Sequence, residues 1–148
     1  MSTGTLLNDN DREAILARLR RVRPDTPARW GKLDAAGMLC HITDQLRVAT
    51  GELASNPTHT FLYRTLVKWI VIQTGVQPPP GKVQTAPEML TSRPGEWAAD
   101  MASCERLIVA VGAGKASAVH PAFGPLNSSE WGKLCWKHLD HHLRQFGQ

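Results

Sequence analysis

Cysteine is scarce in this chain of 148 residues, and Cys40, Cys104 and Cys135 stand far apart with no CxxC pair among them. An odd, scattered set excludes a disulfide framework and fits reduced thiols in the cytoplasm. Long apolar runs are missing as well. The greasiest stretch, Phe61 to Ile72, is interrupted by Arg64 and Lys68 and is too short to span a bilayer. The opening residues lack the basic-then-apolar layout of a secretion signal, so a cytoplasmic protein without membrane attachment is expected. Aromatic residues make up 6% of the chain, with one tyrosine and three phenylalanines beside five tryptophans, which supplies no stacking platform of the usual kind for nucleic-acid bases.

Nor is charge strongly one-sided: 17 Lys+Arg face 13 Asp+Glu, for a net charge of +4. Much of the surplus falls in one stretch, where Arg12, Arg18, Arg20, Arg21 and Arg23 surround Ile15, Leu16, Leu19 and Val22. The wet face of an amphipathic helix accounts for that arrangement. A basic module for nucleic acid, which would bind less tightly as salt rises, therefore ranks last among the functional readings.

What remains is a 42% hydrophobic chain of a length suited to one domain, 1–148. A core of this size buries roughly two thirds of the surface of its unfolded chain and needs no metal simply to fold. A metal, if bound, is therefore a functional feature.

Apolar residues recur at helical spacing in five places, and no stretch alternates with a period of two between hairpin turns, so the pattern predicts an all-α fold. The first helix is expected from about Asn10 to Arg23, stopped by Pro24. The second follows Asp34 as N-cap and carries Met38, Leu39, Ile42, Leu46, Ala49 and Leu53, with Gly51 fraying its end. A third segment, about Thr60 to Gln73, is apolar on more than one side, and its length favours helix over strand. Gln77-Pro78-Pro79-Pro80-Gly81 opens a long surface connection reaching about Pro94. The fourth helix starts near Pro94 or Gly95, aligns Trp97, Met101, Cys104, Leu107, Ile108 and Val111, and ends in the small residues from Val111 to Ala118. In the fifth, Asn127 and Glu130 have capping-box spacing, and Trp131, Leu134, Cys135, Leu139, Leu143 and Phe146 follow before Gly147. Together these predict an antiparallel four-helix bundle with an extra helical segment and a long proline-rich connection.

Six histidines occur, three of them in Lys137-His138-Leu139-Asp140-His141-His142 of the fifth helix. At about 100° per residue, His138 and His142 point within roughly 40° of each other, on the arc that holds Trp131, Cys135 and Phe146. Lys133, Lys137, Asp140 and Arg144 fall on the opposite side and are expected in water. Two inward imidazoles at i and i+4 aim their nitrogens at one cation, as in helical zinc sites. A third ligand must come from elsewhere, and His41, at the border of the second helix's apolar face, is the candidate. His141 lies at the edge of the arc. His59 and His120 sit in connections and read as surface or capping residues, although His120 keeps a place as a second candidate for lining the site. A mixed site using Cys40 or Cys135 ranks lower, because buried free cysteine behaves as a small hydrophobe. Gln45 and Gln145 are within reach of the pocket or of a water beside it, with a surface position the commoner outcome for each.

Other chemistries fail on inspection. Gly112-Ala113-Gly114-Lys115 looks like part of a phosphate loop, but Val109 stands where the first glycine is required and Ala116 replaces the hydroxyl residue. Asn127-Ser128-Ser129 fits a glycosylation pattern and is better explained as a helix cap. There is no Gly-x-Ser-x-Gly elbow and no paired catalytic carboxylates.

A histidine on an early helix, followed after about a hundred residues by His-x-x-His-His-Leu-x-Gln, resembles the DinB-like superfamily of metal-dependent four-helix bundles. One branch, a domain of unknown function, is closer still: it shares Arg29-Trp30-Gly31, Thr85-Ala86-Pro87-Glu88, His120-Pro121-Ala122-Phe123-Gly124, and Trp131 leading to Lys137 through Gly147. The resemblance implies a bundle in which His41, His138 and His142 hold one divalent metal, nickel or zinc, often in a homodimer. It also implies thiol transfer or thiol-dependent isomerisation. The leading expectation is a metal-dependent enzyme that activates a low-molecular-weight thiol or water toward a small electrophile, with His141 or His120 assisting proton transfer. The alternative is a non-enzymatic metal-binding or stress-related bundle.

Overall fold

A computed structural model describes residues 3–57, 60–74, 76 and 92–148. His59, Thr85-Ala86-Pro87-Glu88 and nearly all of the proline-rich connection lie outside the described residues.

Helix α1 spans Asp9–Leu19, and its N-cap Asn8 accepts from the amide of Asp11. It ends earlier than the periodicity suggests, with Val22 buried in the turn that follows. Helix α2, Ala35–Thr50, is capped by Asp34, whose carboxylate accepts from Gly37 N at 2.7 Å. Gly51 does not merely fray this helix: with φ at 81° it takes the left-handed conformation and closes it. A π-helical stretch, Tyr63–Val67, then runs into α3, Lys68–Gln73. Within the π stretch Thr65 Oγ1 turns back to donate to Phe61 O at 2.9 Å. Ile72 is buried, while Phe61, Leu62, Leu66 and Trp69 are exposed.

Helix α4 occupies Trp97–Gly112 and buries Cys104, Leu107, Ile108 and Val111, as its spacing predicts. Helix α5, Ser128–Gln145, starts with the expected capping box: Glu130 N donates to Asn127 Oδ1 and Asn127 N to Glu130 Oε2, each at 2.9 Å. The five helices pack together, with α2 against α4 and α5, α1 against the same two, and α3 on α5. One core cluster runs through them, and Ile15, Met38, Ile42, Leu107, Trp131 and Leu139 are completely buried in it. No helix among the described residues is long and apolar enough to cross a membrane.

Two differences from the sequence expectation matter. The chain is not entirely helical, because β1 (Val119–His120) pairs antiparallel with β2 (Gly124–Pro125), in the register Val119 to Pro125 and His120 to Gly124. Strands of two residues cannot produce a readable alternation. Trp131 Nε1 donates to Ala118 O at 2.9 Å, which ties this hairpin to α5.

The second difference is Lys137, expected in water but buried at 8% exposure. Its ammonium donates to the carbonyls of Val71 and Thr74, at the end of α3. The carbonyls of a last helical turn have no partner within the helix, and a cation there also meets the negative end of the helix dipole. A face that one helix alone would leave wet is thus covered by α3. Burial pulls the Lys137 pKa below the ordinary lysine value, with Lys133 adding to the effect. Lys137→Met keeps the length of the side chain and strands both carbonyls. It should destabilise the fold by roughly 1–3 kcal/mol, read as a lower urea midpoint with an unchanged slope.

Candidate metal centre

Two helices build the site. His41 lies on α2, four residues beyond Gly37 and its Asp34 cap, and points into the space between α2 and α5 with only 5% of its surface exposed. His138 and His142, one turn apart on α5, meet it there. The three ring centroids form a nearly equilateral triangle: 4.7 Å from His41 to His138, 4.8 Å from His41 to His142 and 4.7 Å from His138 to His142. Each pair of rings is steeply inclined, between 73° and 84°, so edges rather than faces meet.

His41 Nε2 and His138 Nε2 approach to 2.9 Å. One ligand atom from each of the three histidines can be chosen so that all lie within 4.8 Å of one another. Nitrogens bound tetrahedrally to one ion at about 2.0–2.1 Å stand about 3.3 Å apart. The triangle therefore suits one small divalent cation after slight adjustment. The donor set fits as well, since neutral imidazoles are ligands for zinc, nickel and copper.

Burial and mutual repulsion keep the two α5 rings neutral. His138 is held well below the usual imidazole pKa, first by burial and then by His142, His41, His141 and His120. Burial likewise lowers His142 to about 4, with His41 reinforcing the shift and the hydrogen bond to Gln145 opposing it. A neutral imidazole keeps a lone pair for a metal, so the burial that makes charge costly also prepares the ligands. The cysteines are prepared for the opposite. Burial pushes the Cys104 thiol up to about 12 and Cys135 higher still, and raises Cys40 as well; by position the cluster among the described residues consists of histidines alone.

His141 lies beside the trio, half-buried, its ring 5.0 Å from that of His142 and 6.3 Å from Trp30. Its pKa is lowered, chiefly by burial and then by Arg144. His120, on β1, is buried rather than on the surface. Its Nδ1 accepts from the amides of Ala122 at 3.0 Å and Phe123 at 3.1 Å, closing the hairpin turn, and its ring stacks on Phe123 with centroids 4.6 Å apart. An accepting Nδ1 places the proton of the neutral ring on Nε2.

The two glutamines depart from the commoner expectation, since both are buried. Gln145 Oε1 lies 2.8 Å from His142 Nδ1, and Gln145 Nε2 donates to Trp30 O at 2.7 Å. Gln45 Oε1 is buried without a hydrogen-bond partner among the described residues, as is His138 Nδ1. The burial of Gln145 was hidden from helical spacing because its partner, Trp30, comes from a loop over a hundred residues earlier. Its position three residues after His142 was the one available signal.

Residues 5–148 match the family described as a protein of unknown function, DUF1569. The chain belongs to that family. No curated protein and no solved structure matches it. For this DUF1569 member, function has to be argued from the site itself.

The depressed histidine pKa values carry a sign. In metal-free protein the unfolded chain takes up protons at these rings below about pH 6.5, whereas folded His142 resists protonation until about 4. Stability is therefore fully present above about pH 6.5 and is lost as pH falls toward 4. The urea midpoint of chelator-treated protein should decline across that window, and decline less in a His138→Phe/His142→Leu variant. Equal profiles for the two proteins would rule out buried neutral histidines as the cause.

Proposed function

We propose that the chain is a metal-dependent bundle protein of DinB-like type whose His41, His138 and His142 hold one divalent cation, zinc or nickel. The observation that carries this reading is the convergence of one imidazole from α2 and two from α5, with donor atoms within 4.8 Å of one another. The helix order supports the DinB-like assignment, with one histidine on the second helix and the i, i+4 pair on the last.

Three protein ligands leave a coordination position open, and an ion so bound brings the pKa of a coordinated water or thiol toward neutrality. The chain's own residues supply what that chemistry needs around it. The two helices fix the three imidazoles against one another, with His41 and His142 buried and His138 partly so. His141, kept neutral beside His142, accepts the proton of an incoming thiol or water. His120, whose charge reaches His138 and whose Nδ1 is engaged by the backbone, is the second candidate for moving a proton. The substrate is then a small electrophile and the cosubstrate a low-molecular-weight thiol. A site set between two packed helices suits small molecules and not a nucleic-acid or membrane surface.

Elemental mass spectrometry on untagged protein should find about one divalent ion per chain, and none in His138→Ala/His142→Ala. Turnover of a small thiol with monochlorobimane should be lost in His138→Ala. Metal uptake without turnover of any thiol or ester would leave a metal-holding bundle in place of an enzyme. Absence of metal after reconstitution would end the reading.

A further inference from the structure

We infer that Gln145 is a positioning residue for His142: it fixes which nitrogen of that ring carries the proton, and the turn Arg29-Trp30-Gly31 holds it in the orientation that does so. The consequence for metal affinity rests on the function proposed above; the tautomer itself does not.

The inference follows from donor and acceptor roles that admit one solution. A backbone carbonyl can only accept, so the end of the Gln145 amide that lies 2.7 Å from Trp30 O must be its NH2 group. The other end, 2.8 Å from His142 Nδ1, is then the carbonyl oxygen, which also can only accept. His142 Nδ1 must therefore carry the hydrogen. The proton of a neutral imidazole cannot be in both places, so Nε2 is left with its lone pair. With Nδ1 committed to Gln145, Nε2 is the nitrogen that His142 can offer to the cluster. An imidazole in water favours the opposite form, with the proton on Nε2, and in that form Nε2 would have no lone pair to offer the cluster.

The residue is held at its backbone as well, and its amide is closely packed. Arg29 N donates to Gln145 O at 2.7 Å, using a carbonyl that the end of α5 would otherwise leave unpaired. Gly31 takes φ of 85°, and a Cβ there would run into Gln145 Nε2. The glycine is thus needed twice, for its left-handed backbone and for the space against the amide. At 5% exposure, Gln145 has little room to rotate its two ends. An imidazole ligand whose second nitrogen donates to a fixed acceptor is oriented and made more basic, and loss of such an acceptor weakens metal binding about 10–100-fold.

The test uses full-length, uniformly 15N-labelled protein, chelator-treated, at neutral pH. Two-bond 1H–15N correlations distinguish a protonated from an unprotonated ring nitrogen, and the His142 signals are assigned by their loss in His142→Asn. Wild type should show Nδ1 protonated and Nε2 unprotonated. Gln145→Leu should shift His142 toward the Nε2–H form and weaken zinc binding, measured against a chromophoric chelator, by about 10–100-fold. Gln145→Glu retains an acceptor at Nδ1, although it sets an oxygen against Trp30 O, and should preserve the tautomer. Gly31→Ala pushes on the amide from outside and should yield a mixture of tautomers, which keeps the test open if Gln145→Leu does not fold. A wild-type His142 protonated on Nε2, or a tautomer unmoved in folded Gln145→Leu, would overturn the inference. The expected tautomer together with no zinc affinity would uphold it and overturn the metal reading instead.

Discussion

Three imidazoles packed edge to edge inside an apolar core cannot all be charged, and much of this molecule is arranged around that limit. Their mutual repulsion when protonated, together with burial, holds His138 and His142 neutral. Neutral rings each bring one donor and one acceptor, so each needs a defined partner on both sides. His142 finds Gln145 on one side. His41 and His138 face each other through Nε2, where two lone pairs would oppose one another unless a proton or a cation lies between them. The site and the core are therefore one packing problem, since the helices that bury the apolar residues also bring these nitrogens together.

The basic surplus of the chain has its own place in the structure. Arg18 reaches across to Asp140 at 2.8 Å, and Arg144 binds the other oxygen of the same carboxylate at 3.0 Å. Arg20 pairs with Glu105 on α4, and Arg12 with Asp9 in its own helix. Much of the positive charge of α1 is thus engaged by neighbouring acids and does not form a bare cationic face. Exposed pairs of this kind contribute little to stability individually. Asp140 is more sheltered, and it ties α1 to the same turn of α5 that carries His138, His141 and His142.

Helical periodicity made the apolar faces of α2, α4 and α5 legible, and with them the direction of His138 and His142, because those properties depend on one helix at a time. His41 was legible as a border residue of α2 for the same reason. Features that depend on a second element were not. Lys137 lies on the polar side of α5 by spacing, but α3 lays its terminal carbonyls over that side. Gln145 looked like a surface glutamine until the Trp30 carbonyl came into contact with it. The hairpin at His120 is too short to leave a pattern, and the His120 side chain that closes its turn does so through backbone amides, which carry no sequence signature.

His41 and His138 touch across 97 positions of sequence. The trio therefore exists only where α2 and α5 are packed against each other, and a partly folded chain presents its imidazoles apart. A cation that needed all three donors would be held by the completed core and not by either helix alone.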